Sequence, residues 1–306
     1  MDYFLLFLAV LCIAVQFNVN KAYQKNFVRG MKDMFFFPFA GACVNLIFFT
    51  FLSVVMHGGM PGFTGFSFVV SIVFALIGAL SSLVGILIMK YGKMSVYSVF
   101  MMLGGMILPY FYGLFFLSET ISAARVIGLL ILVCALPCSV ISHDGKEKPA
   151  GATSKFFFML CIFIFVLNGL TSITAKTHAI SDYALPAANF IVYVNIWSIC
   201  INGTAFFVFK HHQQKAGSAE TAEAKPNINR AFITAAVFAI IGGTGFLLQL
   251  IAAETVPAVA MFPFVTGGAI VLSTICAWIF FKEKIGKPAL AGIIMAICGT
   301  LLFLIQ

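Results

Sequence analysis

Charge is what this sequence has least of. Only 9% of its 306 residues are Asp, Glu, Lys or Arg, against about 25% in a soluble globular chain. Hydrophobic residues make up 62%, and the mean hydropathy is +1.08. So little polar surface cannot cover a soluble fold of this length. The chain reads as an integral membrane protein, which excludes soluble-enzyme, secreted disulfide-framework and DNA-binding classes. No HExxH, GxSxG or P-loop pattern occurs. His211 and His212 are adjacent, so they point to different faces and make a poor metal pair. No catalytic residue, metal site, cofactor or nucleic-acid partner is therefore expected, and the chain is not read as an enzyme. The alternating pattern of a transmembrane β-barrel is missing too.

What the chain does have is long apolar runs. About 20 apolar residues cross the hydrocarbon core as a helix, and charged residues mark where each run stops. The runs are Tyr3 to Asn20, Met34 to Met89, Met94 to Ser118, Val126 to His143, Phe156 to Ala175, Tyr183 to Phe209, Ala231 to Ala253, Thr255 to Phe281 and Pro288 to Gln306. The second is long enough for two spans and is split by His57-Gly58-Gly59-Met60-Pro61-Gly62. The expectation is an all-α membrane protein of ten transmembrane helices. All eight cysteines fall inside these helices, where Cys acts as a small packing hydrophobe.

Sixteen of the eighteen Lys and Arg residues follow odd-numbered helices; only Arg125 and Lys176 lie on the other side. By the positive-inside rule, both termini face outward. The start Met1-Asp2-Tyr3 lacks the basic n-region of a cleavable signal, so helix 1 is expected to remain. A multi-pass protein of a bacterial plasma membrane is expected, monomeric or homodimeric, with lipid and a small-molecule substrate as its partners.

An internal repeat sharpens the reading. Gly104-Gly105, Phe115-Phe116-Leu117-Ser118-Glu119-Thr120-Ile121 and Gly128 recur as Gly267-Gly268, Ile279-Phe280-Phe281-Lys282-Glu283-Lys284-Ile285 and Gly292. The chain divides into two five-helix units, 1–150 and 151–306. Five is odd, so the second unit enters from the opposite side, giving the inverted-topology plan common among secondary transporters.

This pattern resembles the drug/metabolite transporter superfamily, EamA type. The paired hairpins, Phe115-Phe116-x-x-Glu119-x-Ile121 and Ile279-Phe280-x-x-Glu283-x-Ile285, carry the resemblance, together with Ala253-Glu254-Thr255-Val256-Pro257-Ala258-Val259 leading into helix 9. The resemblance implies a central cavity surrounded by helices 1–4 and 6–9, with helices 5 and 10 outside, and alternating access by rocking of the halves.

Polar residues within spans are the candidate site, because lipid does not solvate them. Gln16 and Asn20 share a face of helix 1, and Asn168, Thr171 and Ser172 share a face of helix 6. Asn45 lies in helix 2, Asn195, Ser198 and Asn202 in helix 7, and Gln249 in helix 8. An uncharged, hydrogen-bonding cavity is expected, centred where helices 1 and 6 meet. Gln16, Asn20, Asn168 and Thr171 are expected to face one another, with Tyr97, Gln249 and Thr266 as further substrate-binding candidates. Lys176 and Glu254 are candidate gates. Pro109 and Pro263, read as matched positions in corresponding helices, are candidate hinges. Glu119 and Glu283 are read as structural groups at helix ends. The function expected is secondary transport of a small polar or amphipathic metabolite. The alternative is a flippase-like carrier of a lipid-linked group.

Overall fold

A computed structural model of the protein describes residues 2–28, 30–91, 94–120, 122–141, 155–215, 228–281 and 287–303. Among them are ten α-helices and no strand. They are α1 (Asp2–Phe27), α2 (Met31–His57), α3 (Gly65–Tyr91), α4 (Met94–Phe116), α5 (Ala123–Ile141), α6 (Lys155–Ala179), α7 (Ala187–Lys215), α8 (Ile228–Thr255), α9 (Ala258–Phe281) and α10 (Lys287–Leu302). Seven are long and apolar enough to cross a membrane, and α5, α9 and α10 carry shorter apolar stretches. The protein is an all-α membrane protein. Its outer surface fits that medium: Ile47, Phe51, Phe115 and Phe116 are each more than 65% exposed, and water does not favour apolar exposure on that scale.

The split of the long apolar run falls where the turn residues put it. Gly58 adopts φ 69°, a left-handed conformation that costs glycine little, and its N–H bonds the carbonyl of Val54 to close α2. The boundary between units 1–150 and 151–306, and the hairpin around Glu283, lie outside the described residues.

Helix packing sets up the rest. α1 packs on α8 and α9, while α6 packs on α3 and α4. Two three-helix clusters result, α1–α8–α9 and α3–α4–α6. Exchanging 1 with 6, 3 with 8 and 4 with 9 turns one cluster into the other. α2 packs along α7, and α5 along α10.

The α4–α6 seam is built on glycine. A Cβ on Gly104 would lie 2.0 Å from the backbone oxygen of Phe165, and one on Gly169 would lie 2.3 Å from Leu108 Cδ1. Only bare backbone allows this approach, the usual solution where packing must hold membrane helices together.

Pro109 and Pro263 do lie in corresponding helices, but not at corresponding positions. Pro109 is in the last third of α4, and Pro263 is in the second turn of α9. Because α4 and α9 run in opposite directions, both prolines fall toward the same end of the bundle. The expectation of a matched pair is corrected accordingly: equivalent positions in two inverted helices would lie toward opposite ends of the bundle.

Candidate functional site

A cavity of about 230 Å³ lies between α1, α2, α3, α7 and α8. Each helix contributes one stripe at helical spacing. On α7 the stripe is Asn195, Ser198 and Asn202; on α2 it is Pro38, Gly41, Ala42 and Asn45; on α3 it runs from Phe74 to Ser82. Gln16 enters from α1, and Phe238 and Gly243 from α8. Every lining residue is uncharged. The stripes cluster around the middle of their helices; the basic loops join one end of the bundle.

Several lining side chains bond their own helix. Asn195 Nδ2 donates to Ile191 O at 2.7 Å and Asn202 Nδ2 to Ser198 O at 3.0 Å. Ser82 Oγ donates to Gly78 O at 3.1 Å. Only an amide NH₂ can face a carbonyl, so these contacts fix the amide orientation. Asn195, Asn202 and Ser82 thus each give one proton to their own helix's backbone. The oxygens of Asn45 (Oδ1) and Asn202 (Oδ1) are buried without a partner.

The opposite end of the bundle is tied shut, and two side chains do it across the clusters. Glu119, just after α4, accepts from the backbone N–H groups of Ala258 and Val259, both at 2.8 Å. These are the first amides of α9, where a helix dipole favours an anion. Ser118, at φ 52°, turns the chain back, and Glu119 N–H bonds Gly113 O at 3.1 Å. A Cβ on Gly113 would sit 2.5 Å from Glu119 Oε2, so glycine there leaves room for the carboxylate.

From α6, Lys176 is only 3% exposed. Its Nζ donates to Ala253 O at 2.6 Å and Val256 O at 2.8 Å, the last carbonyls of α8. One elbow, Thr255-Val256-Pro257, is therefore gripped by a cation at the end of α8 and an anion at the start of α9. Within the clusters, Tyr112 Oη pairs with Thr177 Oγ1 at 2.9 Å, and Thr255 Oγ1 donates to Asp2 Oδ2 at 3.0 Å. His178 Nε2 and Ser67 Oγ pair at 2.9 Å, and Leu185 N–H donates to that same Ser67 Oγ at 2.9 Å. Between α2 and α7, Ser53 donates to Asn189.

Of the residues expected to bind substrate, Gln16 lines this cavity. Asn20, one turn further along α1, does not, and neither do Gln249 on α8 and Thr266 on α9. The side chain of Tyr97, on α4, is outside the described residues. The helix 6 stripe turns to α4 instead. Asn168 Nδ2 donates to Met101 O at 2.7 Å, Ser172 Oγ to Gly105 O at 3.4 Å, and Thr171 Oγ1 to Leu167 O at 3.0 Å. Gln16 and Asn168 are thus not brought together around this cavity. The reason is visible at Pro109, which has no N–H for the carbonyl four residues earlier. That carbonyl belongs to Gly105, and the Ser172 hydroxyl comes within 3.4 Å of it while also reaching Asn168 O at 3.2 Å. Lys176, expected as a gate or an anion contact, has its ammonium on helix carbonyls. Glu254 is exposed beside the elbow. Glu119 fills the structural helix-end role read for it. The site residues passed over in favour of helix 6 are Asn45, Asn195, Ser198 and Asn202. Their signal was the spacing 195, 198, 202, which marks one helix face.

The comparisons with known proteins bear on class. Residues 191–305, from early α7 to the end of the chain, match the EamA-like transporter family. No curated protein matches the chain. Among solved structures, one titled only "Crystal structure of protein" superposes with a TM-score of 0.71 at 11% identity, covering 99% of this chain and 98% of that one. At that identity the likeness speaks for the fold, which extends over the whole length. In class, then, this is a multi-pass membrane transporter of the drug/metabolite type. The match to the EamA-like transporter family covers residues 191–305, which include the helix 9 approach on which the resemblance was read.

Proposed function

We propose that the protein is a secondary transporter that moves a small polar or amphipathic metabolite by alternating access. Units 1–150 and 151–306 act as inverted repeats, and the α1–α8–α9 and α3–α4–α6 clusters rock about the cavity. The observation that carries this reading is an uncharged polar cavity at mid-bundle, lined by helices of both units, while Glu119 and Lys176 tie the clusters together at the end away from the basic loops. A small-molecule site of this kind is concave, mostly apolar and served by a few placed polar groups.

The test is uptake and counterflow in proteoliposomes against a metabolite panel. Gln16→Ala removes a hydrogen-bonding group worth about 0.5–1.5 kcal/mol, so the half-saturating substrate concentration should rise roughly 2- to 12-fold. Expression and folding should stay normal, because a cavity tolerates truncation. No counterflow with any substrate, from protein that folds, removes the transporter reading.

In this reading both termini face outward from a bacterial plasma membrane. A C-terminal reporter active only in the cytoplasm should be silent. A bright reporter reverses the orientation while leaving the two-cluster architecture in place.

A further inference from the structure

We propose that Gly78 of α3 sets the size limit of the transported ligand, a net-neutral molecule whose apolar body, one ring in size, lies against the bare backbone there between Phe74 and Ser82. The proposal rests on the transporter reading of the cavity and goes further, to the class of its cargo and the residue that selects it.

Gly41, Gly78 and Gly243 all line the cavity, and packing explains two of them. A Cβ on Gly41 would lie 3.3 Å from Ala239 Cβ, and one on Gly243 would lie 2.5 Å from the Phe49 ring. Among the described residues, a Cβ on Gly78 would meet nothing within 4 Å. Its φ is not positive either, so no left-handed turn calls for glycine. Glycine in a helix interior is disfavoured relative to alanine, and here no close approach within the chain offsets that. Clearance for a molecule outside the chain does.

The clearance faces inward. Val73, Leu76 and Leu80 are exposed and mark the lipid face of α3. At about 100° per residue, Gly78 lies roughly 160° round the helix from Leu76 and Leu80. It is nevertheless exposed, so the space over it is the cavity and not lipid. Phe74 and Ser82, one turn to either side, share its stripe. The Phe74 ring makes an apolar wall, braced by Phe246 at 5.2 Å between centroids. The Ser82 hydroxyl, bonded to Gly78 O at 3.1 Å, makes the other wall polar.

Size and charge give the class. A cavity of roughly 150 Å³ holds benzene, so about 230 Å³ takes one ring and a short polar arm. No Lys, Arg, His, Asp or Glu lines it, so a net charge would be buried without compensation.

The experiment uses the full chain in nanodiscs. Gly78→Cys and Leu76→Cys are treated with methyl, benzyl and 1-pyrenylmethyl methanethiosulfonate, and mass spectrometry counts adducts above those of the wild-type chain. The thiolate is the reacting form, and it needs water. Gly78→Cys should take the methyl and benzyl groups and refuse the pyrenylmethyl group, while Leu76→Cys takes none. Radiolabelled benzamide, a neutral ring whose amide both donates and accepts, is then measured by scintillation proximity. Gly78→Leu, which puts four carbons into the void, should weaken its binding by roughly tenfold or more, and Gly78→Ala by less. Both variants should melt no lower than wild type, which separates a filled site from a damaged fold. Equal labelling of the two cysteines, equal rates with all three reagents, no benzamide binding, or binding indifferent to Gly78→Leu overturns the proposal. Counterflow that Gly78→Leu leaves unchanged also overturns it, with the transporter reading intact. Gly78-dependent binding without counterflow of any compound instead removes the transporter reading and keeps the site.

Discussion

Gly104→Ala should all but abolish folded protein, although it adds a single methyl group to a helix. The new Cβ would stand 2.0 Å from the carbonyl oxygen of Phe165 and 2.7 Å from its Cα. Both are backbone atoms of α6, so no side chain can swing away and one helix must move. Moving it strips Asn168 from Met101 O and Ser172 from Gly105 O. The loss at Gly105 adds to it, because Pro109 leaves that carbonyl with no helical donor and lipid supplies none. Overpacking of this kind costs about 3 kcal/mol or more when the neighbour is rigid. Gly78→Ala is the matched control: a Cβ there meets nothing within 4 Å. In a helix that change gains about 0.8–1.0 kcal/mol of intrinsic propensity. Fluorescence-detected size exclusion and thermal melts of the two variants check the contrast. Equal melting of Gly104→Ala and Gly78→Ala would show that the seam yields.

The helices were legible in the sequence because charge is so sparse that it punctuates. Each apolar run but the last ends at a Lys, Arg, Asp or Glu, and the longest, which has no such mark inside it, is cut by the Gly58 turn. The site was legible only in part. Polar residues four apart on α6 and on α7 look alike in sequence, since spacing gives the face and not what the face meets. On α6 the face meets the Gly104-Gly105 backbone of α4, which draws the Asn168 and Ser172 side chains into helix-to-helix bonds. On α7 it meets α2, α3 and α8, whose stripes of Ala, Gly and Ser leave a void. Partner geometry decides between glue and cavity, and a lone helix does not contain it. The same limit explains Lys176. Its place at the end of α6 was readable, but not the pair of carbonyls waiting at the end of α8.

Breaking the grip on the α8–α9 elbow should open the end of the bundle away from the basic loops. Glu119 and Lys176 both reach from the α3–α4–α6 cluster to the α1–α8–α9 cluster, so neither contact survives if the clusters part there. Contacts made in one conformation only set the balance between conformations. Hydrogen bonds to a charged group are worth about 1.5–3 kcal/mol each, and Glu119 accepts two. Glu119→Ala should therefore shift the closed-to-open ratio at this end by at least roughly tenfold. Glu119→Gln keeps one good acceptor but loses the charge that the α9 dipole favours, so its shift should be smaller. Gly113→Ala, whose Cβ would crowd Glu119 Oε2 at 2.5 Å, should resemble Glu119→Gln although it removes no charge. Lys176→Met keeps the apolar stem and leaves the carbonyls of Ala253 and Val256 without their donor, so it should act in the same direction. The readout is amide hydrogen exchange over residues 256–261, where the Ala258 and Val259 amides are protected by the carboxylate. Exchange should rise in all four variants, most in Glu119→Ala, while α5 and α10, which pack on each other away from the elbow, keep their protection. If exchange stays unchanged in Glu119→Ala, the buried apolar contacts of Val256, Ala258 and Met261 hold the end closed without the charges, and the charged pair has no share in gating.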